Sequence, residues 1–328
     1  MKLPNPLYAF VLEQELRTAR TGNYFWQTVL KTPEGEMKGM VWNAHERADT
    51  SPTFPHIGDI ISITALDDKR DTKGSITIKG FDRITINDVP KEIRDVFYAP
   101  AASPEDMKKA WMAITNIDMW RMKKHYHFTM DCLNRLDQEK LFKCPAASRI
   151  HHNYQGGLII HTAEVLRLCL SVVDAMKEYD FVDRDVLISG AILHDMGKVK
   201  SYGLNEFNMA QMLPTERSVG HLFYGMQLVG LASAGKFKVS QEFIDEVLHC
   251  IASHHGEPQY GSIKPCLSIE SGILSKMDYI SSRNGKVQSK LKSIANSKQA
   301  MKDQLDIYGD KYFASIAMKK YVEGERAE

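Results

Sequence analysis

The apolar residues of this chain change their period once, near residue 90, and no single fold class accommodates both halves. Before that point they alternate with polar residues in segments 8–17, 24–31, 36–43, 59–66 and 75–86, separated by turn sequences at Thr21-Gly22-Asn23, Pro33-Glu34-Gly35 and Lys73-Gly74. Period two is the signature of half-buried strands, and clusters of Gly, Pro and Asn are its punctuation. Five such strands in about 90 residues predict a small barrel. In the second strand Trp26, Thr28 and Leu30 share one face, and Phe25, Gln27 and Val29 the other; in the third, Met37, Gly39 and Val41 alternate with Lys38, Met40 and Trp42. One face fills the barrel, and the other carries Phe25 and Trp42.

After Val89-Pro90 the spacing becomes helical. Helices are expected near 105–115, 117–138, 157–178, 184–195, 217–233, 240–255, 267–283 and 297–322, the first announced by Ser103-Pro104-Glu105-Asp106, a capping residue followed by acids in the first turn. The chain is therefore read as multidomain: an all-β barrel over 1–90, a linker over 91–104 and an all-α bundle over 105–328. A length of 328 residues agrees, being more than one core usually supports.

Composition excludes several classes. Hydrophobic residues at 43% and charged residues at 25% rule out a disordered chain. There is no run of about 18 apolar residues, and the start MKLPNPLYAFVLEQ is not a signal-peptide core, so a cytoplasmic protein without a membrane partner is expected. Five cysteines without a C-x-x-C pair suggest neither disulfides nor a thiolate zinc site. With a net charge of +1, a polyanion would have to be held by a local groove.

The chemistry is concentrated in a few histidines, several of which stand at helix ends beside aspartate or another histidine: His161, His194-Asp195, His221, His254-His255 and, further on, Asp278. Ile251 lies four residues before His255, Val247 seven before His254 and Leu274 four before Asp278, so these polar groups continue apolar helix faces inward. A buried charge must be neutralised. Imidazole and carboxylate are the ligands of borderline divalent metals, and one metal site explains the whole set; the bland reading is a series of separately satisfied core histidines. His151 and His152 are candidates for binding substrate, or else loop residues.

The ordered pattern H…HD…H…HH…D, embedded in HHNYQGGLIIHT, ILHDMGKV and SHHG, resembles the HD superfamily of metal phosphohydrolases. Together with the barrel, whose GNYFWQTVLKTPEGEMKGMVWNA and HIGDIISI are similar to OB-fold strands, it resembles the YhaM-type 3′-to-5′ exoribonucleases, which join an OB-fold to an HD domain. The resemblance implies that His161, His194, Asp195 and Asp278 hold a metal, and that His221, His254 and His255 serve a second one bridged by Asp195. It also implies a cofactor of one or two divalent ions per chain, manganese first, with iron, cobalt, nickel or zinc accepted by the same ligands. Asp195 and Lys198 are the expected catalytic residues. Lys198 would also bind substrate, its ammonium placed on a phosphate oxygen; as a residue alone it is equally an exposed cation at a helix end. Gly157 stands where some relatives of this superfamily carry glutamate, which argues against a third metal, and Gly256-Glu257-Pro258 replaces the G-Y-P of cyclic di-nucleotide phosphodiesterases.

On the barrel, Phe25 and Trp42 are expected to stack bases of a single strand, with Arg17, Arg20, Lys31, Lys38 and Lys79 near the phosphates. The leading expectation is a metal-dependent 3′-to-5′ exonuclease releasing mononucleotides, with single-stranded nucleic acid as partner, RNA favoured over DNA, and homo-oligomerisation left open. The alternatives are an HD phosphohydrolase for small or cyclic nucleotides, and a binding module whose metal is structural.

Overall fold

The computed structural model describes residues 3–42, 54–67, 75–99, 101–117, 120, 123–148, 152–175, 180–296, 304–307 and 310–324. Contacts divide the chain into two compact units, Met1–Tyr98 with Ser293–Gln299 and Ala99–Lys292 with Ala300–Glu328. Among the described residues no helix is long and apolar enough to cross a membrane.

The first unit is a closed barrel of β1 (Leu7–Thr18), β2 (Tyr24–Thr32), β3 (Gly35–Trp42), β4 (Ile60–Asp67) and β5 (Ile76–Ile84), in the order β1-β2-β3-β5-β4 and back to β1. All neighbours are antiparallel except β3 and β5, which pair in parallel at Gly39↔Ile76 and Met40↔Thr77. This is the OB-like barrel that the alternating pattern and the resemblance imply. The inward positions Leu7, Ala9, Val11, Leu30, Val41, Ile61, Ile63, Ile76 and Ile78 form its core, with Trp26 and Met37 packed on it. Residues 91–104, read as a linker, begin as ordered 3-10 turns over Lys91–Phe97 with Phe97 fully buried. The compact unit that holds the barrel runs on to Tyr98.

The second unit is helical: α1 (Pro104–Thr115), α2 (Lys124–Asn134), α3 (Gln138–Lys143), α4 (Gly157–Ala175), α5 (Arg184–Leu193), α6 (Lys198–Ser201), the small strands β6 (Tyr202–Leu204) and β7 (Ala210–Met212), then α7 (Pro214–Ser218), α8 (His221–Ser233), α9 (Gln241–Ser253), α10 (Ile269–Asn296, the first unit taking it from Ser293 on), the hairpin β8 (Gln304–Ile307) and β9 (Asp310–Phe313), and α11 (Ile316–Glu323). Ser103 caps α1 by accepting from the Asp106 amide, as its sequence predicts, and Asp183 and Ser240 cap α5 and α9 in the same way. Every residue of α5 from Asp185 to Leu193 is buried. A helix apolar on all sides belongs at the centre of its domain, and α4, α9 and α10 supply Leu158, Val165, Val247, Ile251 and Leu274 to the core around it.

Three expected helices are corrected. The one near 117–138 is, among its described residues, helical at Trp120 and over Lys124–Asn134, and is followed by the separate α3. The one near 267–283 continues to Asn296, because Asn284-Gly285 does not stop it. The one near 297–322 is replaced, among its described residues, by the β8-β9 hairpin and the short α11. QLDIYGDKYF alternates in period two around a glycine, which is a hairpin pattern.

Candidate metal centre

His194 is the C-cap of α5 and Asp195 follows it; His254 is the C-cap of α9 and His255 follows it. Both C-cap histidines turn Nδ1 to the carbonyl three residues back, Ala191 and Ile251, each at 2.9 Å. The contact satisfies a carbonyl that the helix end leaves unpaired. It also fixes the ring so that Nε2 carries the lone pair and faces inward, which is how proteins orient metal-binding imidazoles. His221 opens α8, its Nδ1 held at 2.7 Å by Glu216. His161 sits within α4, its Nδ1 3.1 Å from the Ser281 hydroxyl on α10. Ser281 in turn donates to Glu164 at 3.0 Å.

The other six expected ligand side chains gather around Asp195, Asp278 by way of His161, and the two oxygens of Asp195 face different groups. Oδ2 lies 3.5 Å from His161 Nε2 and 3.4 Å from His194 Nε2, and His161 Nε2 is 3.1 Å from Asp278 Oδ1. Oδ1 lies 3.6 Å from His221 Nε2 and 3.5 Å from His254 Nε2. Asp195, His221, His254 and His255 form one set of ligand atoms all within 4.8 Å of one another; His161, His194 and Asp195 form another, and His194, His254 and Asp278 a third that joins them. Ligands about 2.1 Å from a tetrahedral ion stand about 3.4 Å apart, which is the spacing found here.

The donor set fits a cation on a second ground. Asp195 Oδ1, His221 Nε2, His254 Nε2 and His255 Nδ1 are buried with no hydrogen-bond partner. Single orphaned polar atoms occur in folded proteins, but four of them within 4.8 Å of one another are costly unless a positive ion satisfies them together. The side-chain electrostatics agree. Burial alone would raise the Asp195 carboxyl, but Lys198, His194 and His161 outweigh it and hold it well below the carboxylate range. Burial likewise opposes ionisation of Asp278, and His161 more than compensates. Burial lowers His254, and lowers His255 to about 3 with help from its neighbour His254, so both imidazoles are neutral and free to ligate. His161 differs: burial disfavours its charged form, yet Asp195 and Asp278 raise it to about 9.

The remaining sequence candidates are placed less uniformly. Lys198 is not an exposed cation; its side chain is buried, with Nζ 2.6 Å from Asp195 Oδ2. His152 is not displayed for a substrate, because it is buried and its two ring nitrogens engage Tyr154 and Glu164 at 2.9 and 3.0 Å. It belongs to a chain of contacts running through Glu164 and Ser281 to His161. His151 lies outside the described residues. Glu216, Glu164 and Ser281 were missed by sequence reading, although Glu164 and Ser281 each stand three residues after an expected ligand, the spacing that puts them on the same helix face.

The glycine at 157 also acquires a cause. A Cβ there would stand 1.9 Å from the carbonyl oxygen of His152, so the backbone at 152 leaves no room for a side chain at 157.

On the barrel, Phe25 and Trp42 are paired across β2 and β3, with ring centroids 4.8 Å apart, and 37% of Trp42 is exposed. Of the neighbouring cations, all but Lys31 are exposed; Arg17 pairs with Glu15, Lys79 with Asp67, and Lys31 donates to the Tyr98 carbonyl, which leaves Arg20 and Lys38 without an ion pair among the described residues.

Residues 158–283 match the HD domain family. Over most of its length the chain is similar to the 3′-5′ exoribonuclease YhaM of Listeria monocytogenes, 26% identical over 285 residues that make up 83% of each protein. It is 24% identical over 282 residues to the proteins of that name from Oceanobacillus iheyensis, covering 84% of this chain and 83% of the relative, and Bacillus licheniformis, covering 84% of each. No solved structure matches.

Proposed function

We propose that this chain, whose residues 158–283 are an HD domain behind an OB-like barrel, is a metal-dependent 3′-to-5′ exonuclease that shortens single-stranded RNA to mononucleotides. The observation that carries the reading is the carboxylate of Asp195, whose two oxygens each face a separate set of imidazoles. The assignment is one divalent cation held by Asp195 Oδ2, His161, His194 and Asp278, and a second by Asp195 Oδ1, His221, His254 and His255, manganese being the first choice. A cation pair in such a site lowers the pKa of a water and stabilises charge building on phosphoryl oxygens.

The chain's own contribution is preorganisation. Nδ1 contacts to Ala191, Ile251, Glu216 and Ser281 hold four rings before substrate arrives, so no reorganisation accompanies the reaction. The buried ammonium of Lys198, raised by Asp195 against the opposing effect of burial, stays charged and supplies a positive group for a non-bridging phosphate oxygen. Phe25 and Trp42 offer an aromatic surface for bases without selecting among them.

The test is a time course with 5′-labelled single-stranded RNA and Mn²⁺. The reading requires a ladder shortening from the 3′ end and nucleoside monophosphate as product. Intact RNA across manganese, cobalt, nickel, iron and zinc would sink it.

A further inference from the structure

Helix α10 supplies Asp278 to the metal centre and Ser281 to its support, but most of its length beyond them is not used by that site. From Tyr279 to Asn296 it carries Arg283, Lys286, Lys290 and Lys292 and no acid, in a chain whose net charge is only +1. The acids earlier in the helix face inward: Glu270 is buried, accepting from the Asp183 amide, and Asp278 faces His161. At 3.6 residues per turn, Lys276, Tyr279, Arg283, Lys286 and Lys290 fall within a sector about 80° wide and about 21 Å long. Lys276, Tyr279 and Lys290 are exposed, and Arg283 and Lys286 are half-buried.

Two features separate this row from an ordinary solvated helix face. Elsewhere on the same unit, several helical cations are matched by acids one turn away, Lys109 with Glu105 at 2.7 Å, Lys143 with Glu139 at 2.7 Å and Arg135 with Asp131 at 2.9 Å, whereas others such as Lys108 stand singly and not in a row. Lys276, Lys286 and Lys290 have no ion pair among the described residues, and the like charges of Lys286 and Lys290 four apart oppose the helix that holds them. In addition, Arg283 is fixed between two aromatic rings, 5.3 Å from the centroid of Tyr279, to whose hydroxyl it donates, and 5.4 Å from that of Tyr312 on β9. Cations interleaved with aromatic faces are the arrangement that follows a single-stranded phosphate backbone.

We infer that this face of α10 is a track for single-stranded RNA, taking the phosphates of the strand behind the 3′ end as it enters the metal centre. The track lies entirely on the helical unit, so it is distinct from the Phe25-Trp42 surface of the barrel. The inference rests on the exonuclease reading for its substrate but is tested by binding alone.

The experiment measures the affinity of the metal-loaded full chain for a labelled oligoadenylate with phosphorothioate linkages, as a function of salt. Each phosphate contact on a single strand contributes about 0.7 to the slope of log K against log salt. Replacing Lys276, Lys286 and Lys290 together with Gln is expected to flatten the slope by about 2. Wild type then loses roughly twentyfold more affinity than the variant between about 50 and 200 mM salt. The triple Lys→Arg variant keeps the wild-type slope, as does Lys108→Gln on α1. A triple Gln variant with an unaltered slope refutes the track, as does equal flattening by Lys→Arg or by Lys108→Gln. So does loss of binding to phosphatidylserine vesicles with no change on RNA, which would assign the row to a membrane. Flattening in a protein that cleaves no RNA would remove the exonuclease reading and leave the track standing; cleavage with an unaltered slope would do the reverse.

Discussion

Gly197 is where the two halves of the metal centre are pressed together, and Gly197→Ala is the substitution most revealing of how the site is held. A Cβ at 197 would stand 1.9 Å from the His221 carbonyl oxygen and 2.6 Å from the Gly225 amide nitrogen. Both obstacles are backbone of α8, so no side chain can swing away; the segment after Asp195 and the start of α8 must part by about 1 Å or more. Metal ligands tolerate displacements of about 0.2 Å. His221, now 3.6 Å from Asp195 Oδ1, is carried out of range, while His161, His194 and Asp278 are not on the moved helix. The overpacking itself costs about 1–3 kcal/mol. The variant is therefore expected to fold with a lowered melting temperature, to retain one manganese per chain where wild type retains two, and to lose RNA hydrolysis. Gly230→Ala on the same helix is the control. Its Cβ meets nothing within 4 Å, so alanine stabilises by up to about 1 kcal/mol and leaves the metal count alone. A Gly197→Ala protein with the full metal count and undiminished activity would refute the reasoning.

Three further outcomes follow from the same geometry. Trp42→Ala and Phe25→Ala each remove a stacking surface worth about 1–3 kcal/mol per base, so affinity for single-stranded RNA falls about 5- to 150-fold by anisotropy titration, with the melting temperature nearly unchanged for the exposed Trp42. Glu216→Gln weakens the hold on His221 and is expected to lower metal affinity about 10- to 100-fold, with activity restored by added Mn²⁺; no shift in the metal titration would contradict the role given to Glu216. In chelated protein the His161 imidazolium persists to about pH 9, whereas a ligating histidine must be neutral. Metal binding at pH 7 therefore releases a proton, and affinity drops as pH falls. Without metal, the interaction of His161 with its carboxylates stabilises fully below the ordinary histidine pKa and is lost as pH rises through 9. Calorimetry in buffers of different ionisation enthalpy reads the proton directly.

Much of this architecture was legible because it is written in local periodicity. The five barrel strands fall within a residue or two of where alternation puts them, since a half-buried strand must alternate. The clustering of these side chains was legible because His194-Asp195 and His254-His255 end apolar helices that point them inward. Other features depend on contacts between segments distant in sequence and leave little local trace. Ser281 meets His161 across 120 positions, and Gly197 is required by a helix that begins at His221. The extension of α10 through Gly285 was hidden because glycine in mid-helix costs about 1 kcal/mol relative to alanine and reads as a stop. The β8-β9 hairpin was hidden because strands of four residues between lysine-rich stretches resemble a polar helix.

The most direct measurement is an anomalous difference map, recorded at the manganese edge, from a crystal of the protein grown with Mn²⁺. Two peaks are predicted, one between Asp195 Oδ1, His221, His254 and His255 and one between Asp195 Oδ2, His161, His194 and Asp278. A map with no peak at Asp195 from protein that still shortens RNA would contradict the account at its centre.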